Sequence, residues 1–333
     1  MTLSIVLRRD AASLFSQWET SQEFAEIQQH PITNSAGEQY YSETHVGAVV
    51  CSFAVVDEEE PQLLAKCTVL EHALGYYQEP AFLFQRKGLS AERLTAAIVA
   101  ALKELDSLAL RANARTVAIR GMSSDAGQAT FKRECSLRGC AIETWEVGIC
   151  DLLLSEQDIH GHVRKSFKSL INWGQRNLAM TYYNTKNPDP ALFEAYRHFH
   201  VQVAGRVTRS EKSWHSMRDW VLNGGGELAL AYLDSGELVA GTMTVDGSEI
   251  SFYASGVYDR SRFDRPLSHF TVYNSILRSK MRGLKSFDLG HLPAKGIAGE
   301  KEYNIGFFKR GFTTDVKAYT VWKWNLPVLD CPT

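Results

Sequence analysis

Residues 227–257 constrain this chain most. Three runs rich in β-branched and apolar residues, 227–233, 238–245 and 249–257, are separated only by Asp234-Ser235-Gly236 and Asp246-Gly247-Ser248. Connections that short leave no room for a crossover, so the three strands must pair antiparallel with their neighbours as a meander. A helix is expected next, over about 266–282, with Pro266 at its first turn, where a missing N–H does no harm, and Gly283 at its end. Strands are expected at 286–289 and 318–324. Two helices precede the meander, at 188–203 and 212–222, the second stopped by Asn223-Gly224-Gly225-Gly226.

The first half alternates strand and helix signals, as a layered α/β domain requires. Strands are read at 46–56, 80–85 and 116–120, and a longer extended stretch at 142–154. The clearest helix runs over about 90–112, with Leu94, Ala97, Ile98, Ala101, Leu102 and Leu105 at helical spacing, Ser90 as N-cap and Glu92 in the first turn. Asp57-Glu58-Glu59-Glu60 before Pro61 reads as a solvated turn. A length of 333 residues suits two domains, and the pattern changes at 155–161, so the division expected is 1–155 and 156–333.

The segments GELALAYLDSGELVAGTMTVDGSEISFYASGVYDR, SFDLG and EYNIGFFKRGF resemble the C-terminal half of FemAB-like proteins, including acetyltransferases of surface-polysaccharide clusters. The likeness covers about 164–324. It implies an α/β (α+β) chain of tandem GNAT-like domains, each a mixed, mostly antiparallel sheet flanked by helices, with the second as the catalytic one. It also implies transfer of an acyl group to an amine of an amino sugar or cell-envelope glycan precursor. The donor would be an acyl-CoA such as acetyl-CoA or, alternatively, an aminoacyl-tRNA. Two departures stand out. The long helical hairpin often found in the peptidoglycan enzymes is missing, and the run before the expected helix, Arg260-Ser261-Arg262-Phe263-Asp264-Arg265, has no glycine where acetyl-CoA users carry a Q/R-x-x-G-x-G/A loop.

Lys309, in Phe307-Phe308-Lys309-Arg310, matches the family's F-K position, where the resemblance implies support of a developing oxyanion. Phe308 is expected at the site beside it. Acyl transfer also needs alignment of the reactants and a route for the amine proton. Tyr253 and Ser255 fall on one face of their strand if alternation is unbroken, and are expected to line the cleft. Asp288 at a strand end, His291 and His269 are the candidates for a general base. Arg206 and Arg209 are candidates for the diphosphate of a nucleotide-sugar acceptor. Arg260, Arg262 and Arg265, just before a helix N-terminus, form a second anion site.

The segment 161–178 carries Arg164, Lys165, Lys168 and Arg176 without an acidic residue. It reads as a tRNA or polyphosphate track or, more simply, as the solvated face of a helix whose core stripe is Phe167, Leu170, Ile171 and Leu178. A net charge of -2 gives no general attraction to DNA or to an anionic membrane. The pairs His160/His162 and His198/His200 lack a third ligand at metal spacing, so no metal is expected. The six cysteines, Cys51, Cys67, Cys135, Cys140, Cys150 and Cys331, show no C-x-x-C spacing, which suits a reducing cytoplasm. No stretch reaches the roughly 18 apolar residues of a membrane span. The alternative outside the enzyme class is a catalytically inactive module that binds a nucleotide sugar or a protein partner.

Overall fold

The computed structural model describes residues 2–122, 125–262 and 264–327, so Cys331 and Phe263 lie outside the described residues. The chain divides into two compact units. The second takes Gln29–Thr44 and Glu146–Ala318, and the first takes the remainder.

In the first unit, strands Leu3–Leu7, Phe53–Asp57, Glu60–Lys66 and Phe82–Gln85 form an antiparallel sheet in that order. The stretch read as one strand at 46–56 is two, Val49–Val50 and Phe53–Asp57. Asp57 and Glu60 face each other across a two-residue turn in which Glu58 and Glu59 both take positive φ. That turn leads straight into Glu60–Lys66, a strand hidden in the sequence by Pro61. The helix Ala91–Arg111 begins as expected, with the Ser90 hydroxyl accepting from the Arg93 amide, and buries Leu94, Ala97, Ile98, Ala101, Leu102 and Leu105.

The second unit contains the meander. Strands β1 (Ala179–Tyr183), β2 (Gly226–Tyr232), β3 (Leu238–Asp246) and β4 (Ile250–Tyr258) pair antiparallel in sequence order. Strand β5 (Ser286–His291) then joins β4 in parallel and pairs antiparallel with the end of Ala141–Asp151. The basic segment is two helices, Glu156–His162 and α1 (Lys165–Asn177), broken at Val163-Arg164. Phe167 and Ile171 of α1 are buried, which makes its charged side the solvated face of an amphipathic helix. Helices α2 (Pro190–Ala204), capped by the Asp189 carboxylate, and α3 (Glu211–Leu222) cover one face with Tyr196, Trp214, Met217 and Trp220. Helix α4 (Leu267–Met281) follows β4, with Pro266 at its N-cap and Gly283, at φ 89°, closing it. Helix α5 (Glu300–Lys309) carries the F-K motif.

The C-terminal end of α4 is anchored to the sheet by a buried charge cluster. Arg278 donates to Glu227 on β2, Arg282 makes a two-pronged contact with Asp246 on β3 at 2.7 and 3.0 Å, and Asn184 donates to Glu227 at 2.7 Å. Glu227 is only 3% exposed. Removing it leaves Arg278 without its carboxylate while Arg282 keeps Asp246, and loss of one side of a buried pair costs about 3–5 kcal/mol. We therefore expect Glu227→Ala to lower stability to urea by that amount. Glu143→Ala, which breaks the half-exposed Glu143–Lys323 pair, is expected to stay within about 1 kcal/mol.

Candidate active site

The site grows out of the end of the β4–β5 pairing. The two parallel strands are in register only over Ile250–Phe252 and Ser286–Asp288. Beyond Phe252 and Asp288, each carries a bulge against its other neighbour. On β4, Met243 opposes Ser255 while Thr244 opposes Tyr253, so Ala254 is the extra residue. On β5, Asp288 opposes Ile149 and His291 opposes Val147, which leaves Leu289 and Gly290 against the single residue Gly148. A bulge bends and twists its strand, and two of them on either side of one shared edge part the strands into a wedge.

The bulge also overturns an expectation. Cross-strand partners share a face, so Ser255 lies on the face of Met243 and Tyr253 on that of Thr244. The two side chains point to opposite faces rather than the same one. On the Met243 face, Ser255 accepts a hydrogen bond at 2.9 Å from the fully buried Tyr196 hydroxyl. On the other, the Tyr253 and Tyr258 hydroxyls meet at 2.9 Å, and Tyr258 reaches Thr242 at 3.2 Å. Gly256 makes the tyrosine pair possible, because a Cβ there would lie 1.9 Å from the Tyr253 oxygen. Burial raises the pKa of both phenols, Tyr253 well above 10, so both remain proton donors at neutral pH.

A cavity of about 1130 Å³ opens along β4, closed by α2, the start of α4 and α5. Of the residues singled out in the sequence, Arg209, Tyr253, Ser255, Arg260, Phe308 and Lys309 line it. The Lys309 ammonium lies over the Tyr253 ring, 5.8 Å from its centroid, and 3.1 Å from where a Cβ on Gly290 would stand. Burial lowers its pKa below 10.5, and the nearby Asp288 opposes that shift. His291 is kept from protonating by desolvation and then by the same lysine charge, which lower its pKa below 6.5, against Glu146. Arg164 holds the end of α5 in place, donating to the Phe307 carbonyl at 2.9 Å with its guanidinium over the Phe307 ring.

The other candidates separate. Arg206 is exposed, beyond Gly205, which ends α2. The three-arginine anion site does not assemble. Arg262 is taken up by Asp259 and Glu237 at 3.1 and 2.6 Å, and Arg265 is exposed with Asp264 at 4.0 Å, which leaves Arg260 facing the cavity. The run is not a phosphate loop because its own acidic neighbours neutralise it. His269 is packed among Phe167, Phe308 and Phe312 with Nδ1 unpartnered, and burial lowers its pKa to about 4.

Sequence reasoning weighed His200 only as half of a metal-type pair and missed His30. Arg209 donates from Nη1 to His200 Nε2 at 3.0 Å and from Nε to the Tyr40 hydroxyl at 3.1 Å, and packs over Trp214 at 5.2 Å. Those partners are all neutral, His200 because burial and then Arg209 lower its pKa to about 4. The guanidinium thus keeps its full charge at the cavity wall. His30 donates to Asp288, a contact spanning 258 residues that no local motif announces.

No protein-family model and no curated protein matches the sequence. Solved structures do. FemX superposes with a TM-score of 0.64 over 98% of both chains at 11% identity. The chain has the tandem GNAT fold of FemX. A tandem GNAT protein from the clavulanic acid biosynthesis pathway matches at 0.59 and 12% identity, over 97% of this chain and 98% of that one. The C-terminal domain of a putative lysylphosphatidylglycerol synthetase from Agrobacterium fabrum matches at 0.60 and 14%, over 93% of both. In this GNAT frame the parted strands, the cavity and Lys309 all belong to the second unit.

The half-buried neutral histidines give a pH test. His200 and His269 have folded pKa values near 4 against an ordinary 6.5, so the unfolded chain binds more protons between those values. Stability is expected to be full above about pH 6.5 and to fall as the pH drops toward 4. His269→Leu should flatten that slope in urea titrations run at successive pH values, and an unchanged slope would contradict the assignment.

Proposed function

We propose that the protein is an N-acyltransferase. It joins an acyl group of the acetyl type, carried on CoA, to the amine of an amino sugar or nucleotide-linked glycan precursor used in surface-polysaccharide synthesis in the cytoplasm. The second unit is the catalytic one, and the first serves as a structural or acceptor-positioning domain. The observation that carries this reading is the wedge between β4 and β5, with a half-buried lysine at its mouth. Parted strands leave backbone groups without a strand partner beside a cavity, and the cation supplies fixed positive charge where a tetrahedral oxyanion would develop. A volume of about 1130 Å³ is ample for two reactants side by side.

In the reaction the acceptor amine attacks the thioester carbonyl. The C–N bond forms as the π electrons move onto oxygen, where Lys309 offsets the charge. The intermediate then collapses, the C–S bond breaks, and the amine proton is lost while the thiolate takes one up. We assign acceptance of the first proton to His291, at the exposed end of β5 and outside the cavity lining, and donation of the second to the Tyr253 phenol at the cavity wall, held protonated by burial. Arg209, charged and paired only with neutral groups, and Arg260 are suited to anionic groups of donor and acceptor. Among the described residues no helix is long and apolar enough to cross a membrane, which agrees with soluble reactants.

Calorimetric titration with acetyl-CoA and, separately, with aminoacyl-tRNA tests the donor. Saturable acetyl-CoA binding that survives moderate salt is expected. Binding of charged tRNA alone would transfer the reading to an aminoacyl transferase, and binding of neither would leave a non-catalytic module. Given turnover, Lys309→Met should lower kcat about 100-fold, the size of one lost oxyanion donor, with acetyl-CoA affinity nearly unchanged. The rate should fall on the acid side as His291 protonates below 6.5. It should fall on the alkaline side as Lys309 loses its proton below the ordinary 10.5, and Lys309→Met should abolish that alkaline limb.

A further inference from the structure

We infer that His30 is a positioning residue for Lys309: it holds the Asp288 carboxylate in the place from which that carboxylate faces the lysine ammonium. The inference rests on the reading of Lys309 as the oxyanion-supporting group, and it gives the segment Gln29–Thr44 a role in the chemistry of the second unit.

The hydrogen bonds determine the tautomer. The Ile32 amide donates to His30 Nδ1 at 3.1 Å, so that nitrogen is a lone-pair acceptor and the ring proton of the neutral imidazole sits on Nε2. Nε2 is 3.1 Å from Asp288 Oδ2 and donates to it. The other carboxylate oxygen, Oδ1, accepts from the Gly290 amide at 2.6 Å. Both oxygens are therefore engaged by donors, which orients the carboxylate. The imidazole is itself held against the Phe252 ring, with centroids 5.5 Å apart, at the last shared register position of the wedge.

Asp288 is 8% exposed and within electrostatic reach of Lys309. Lys309 lies beside Gly290, whose amide holds Asp288, and over Tyr253 of β4; His291 of β5 feels its charge, Glu146 beyond His291 is paired with Arg310 at 2.8 Å, and Glu300 and Lys301 of α5 line the same cavity. Tyr253 is a neutral phenol and His291 is kept neutral by burial and by the lysine. Asp288 is thus the counter-charge that offsets the cost of a partly desolvated ammonium, and a carboxylate with a donor already on each oxygen is poorly placed to accept a substrate proton. On this basis Asp288 is a counter-ion, and proton removal falls to another group.

The test uses the full-length protein and reads the lysine directly. Lys309 is labelled with acetic anhydride across pH 6–11 and quantified by mass spectrometry against exposed lysines. His30→Phe keeps ring packing on Phe252 but removes the donor, and should shift the labelling midpoint of Lys309 down by about one pH unit, roughly tenfold more labelling at a fixed pH on the old slope. His30→Gln, which retains an N–H donor, should restore most of the wild-type midpoint. Should His30→Phe fail to fold, His30→Ala carries the same expectation. An unshifted midpoint in these donor-free variants, with Asp288→Asn lowering it, would overturn the role of His30. If neither substitution shifts it, the whole dyad is overturned. Because labelling does not depend on turnover, failure of acetyl-CoA transfer would count against the proposed reaction and leave this result standing.

Discussion

Everything at the site follows from where two parallel strands stop pairing. β4 and β5 share register only as far as Phe252 and Asp288, and the bulges at Ala254 and at Leu289-Gly290 bend them apart at that point. Parallel pairing normally continues for as long as both strands remain extended. Here it is ended by one extra residue on each strand. The cavity lies along β4, and α5 delivers Lys309 to it.

The surrounding electrostatics are arranged around that lysine rather than around the arginine run that the sequence makes conspicuous. Arg262 and Arg265 are engaged by acids in their own loop or nearby. Arg209, a candidate phosphate ligand in the sequence, keeps its charge because its hydrogen-bond partners are Tyr40 and a neutral His200. A cation is available to a ligand when its partners in the folded chain are neutral, and clustering in sequence says nothing about that. At the other end of α4, Arg278 and Arg282 are locked to Glu227 and Asp246. This fixes the helix at its C-terminal end, so its N-terminal end is held at the cavity.

Legibility differed from element to element. The helix Ala91–Arg111 was plain, because its stripe and its Ser90 cap are local signals. The strand Glu60–Lys66 was not, because Pro61 argues against a strand except at a tolerated position. Lys309 and Tyr253 were reached through their motifs and are at the cavity. The relation of Tyr253 to Ser255 came out reversed, because alternation assumes an unbroken ladder and the bulge depends on the partner strand.

The sequence by itself determined the meander, its turns, the helix after it and the GNAT-like order of elements, because each is written in residues a few positions apart. It also supplied the F-K lysine. Only the tertiary structure decided which arginines stay free for a ligand, which way Tyr253 and Ser255 face, and that His30 meets Asp288 across 258 residues of chain. Charge pairing, strand register and long-range hydrogen bonds are properties of partners, and partners exist only once the chain has folded.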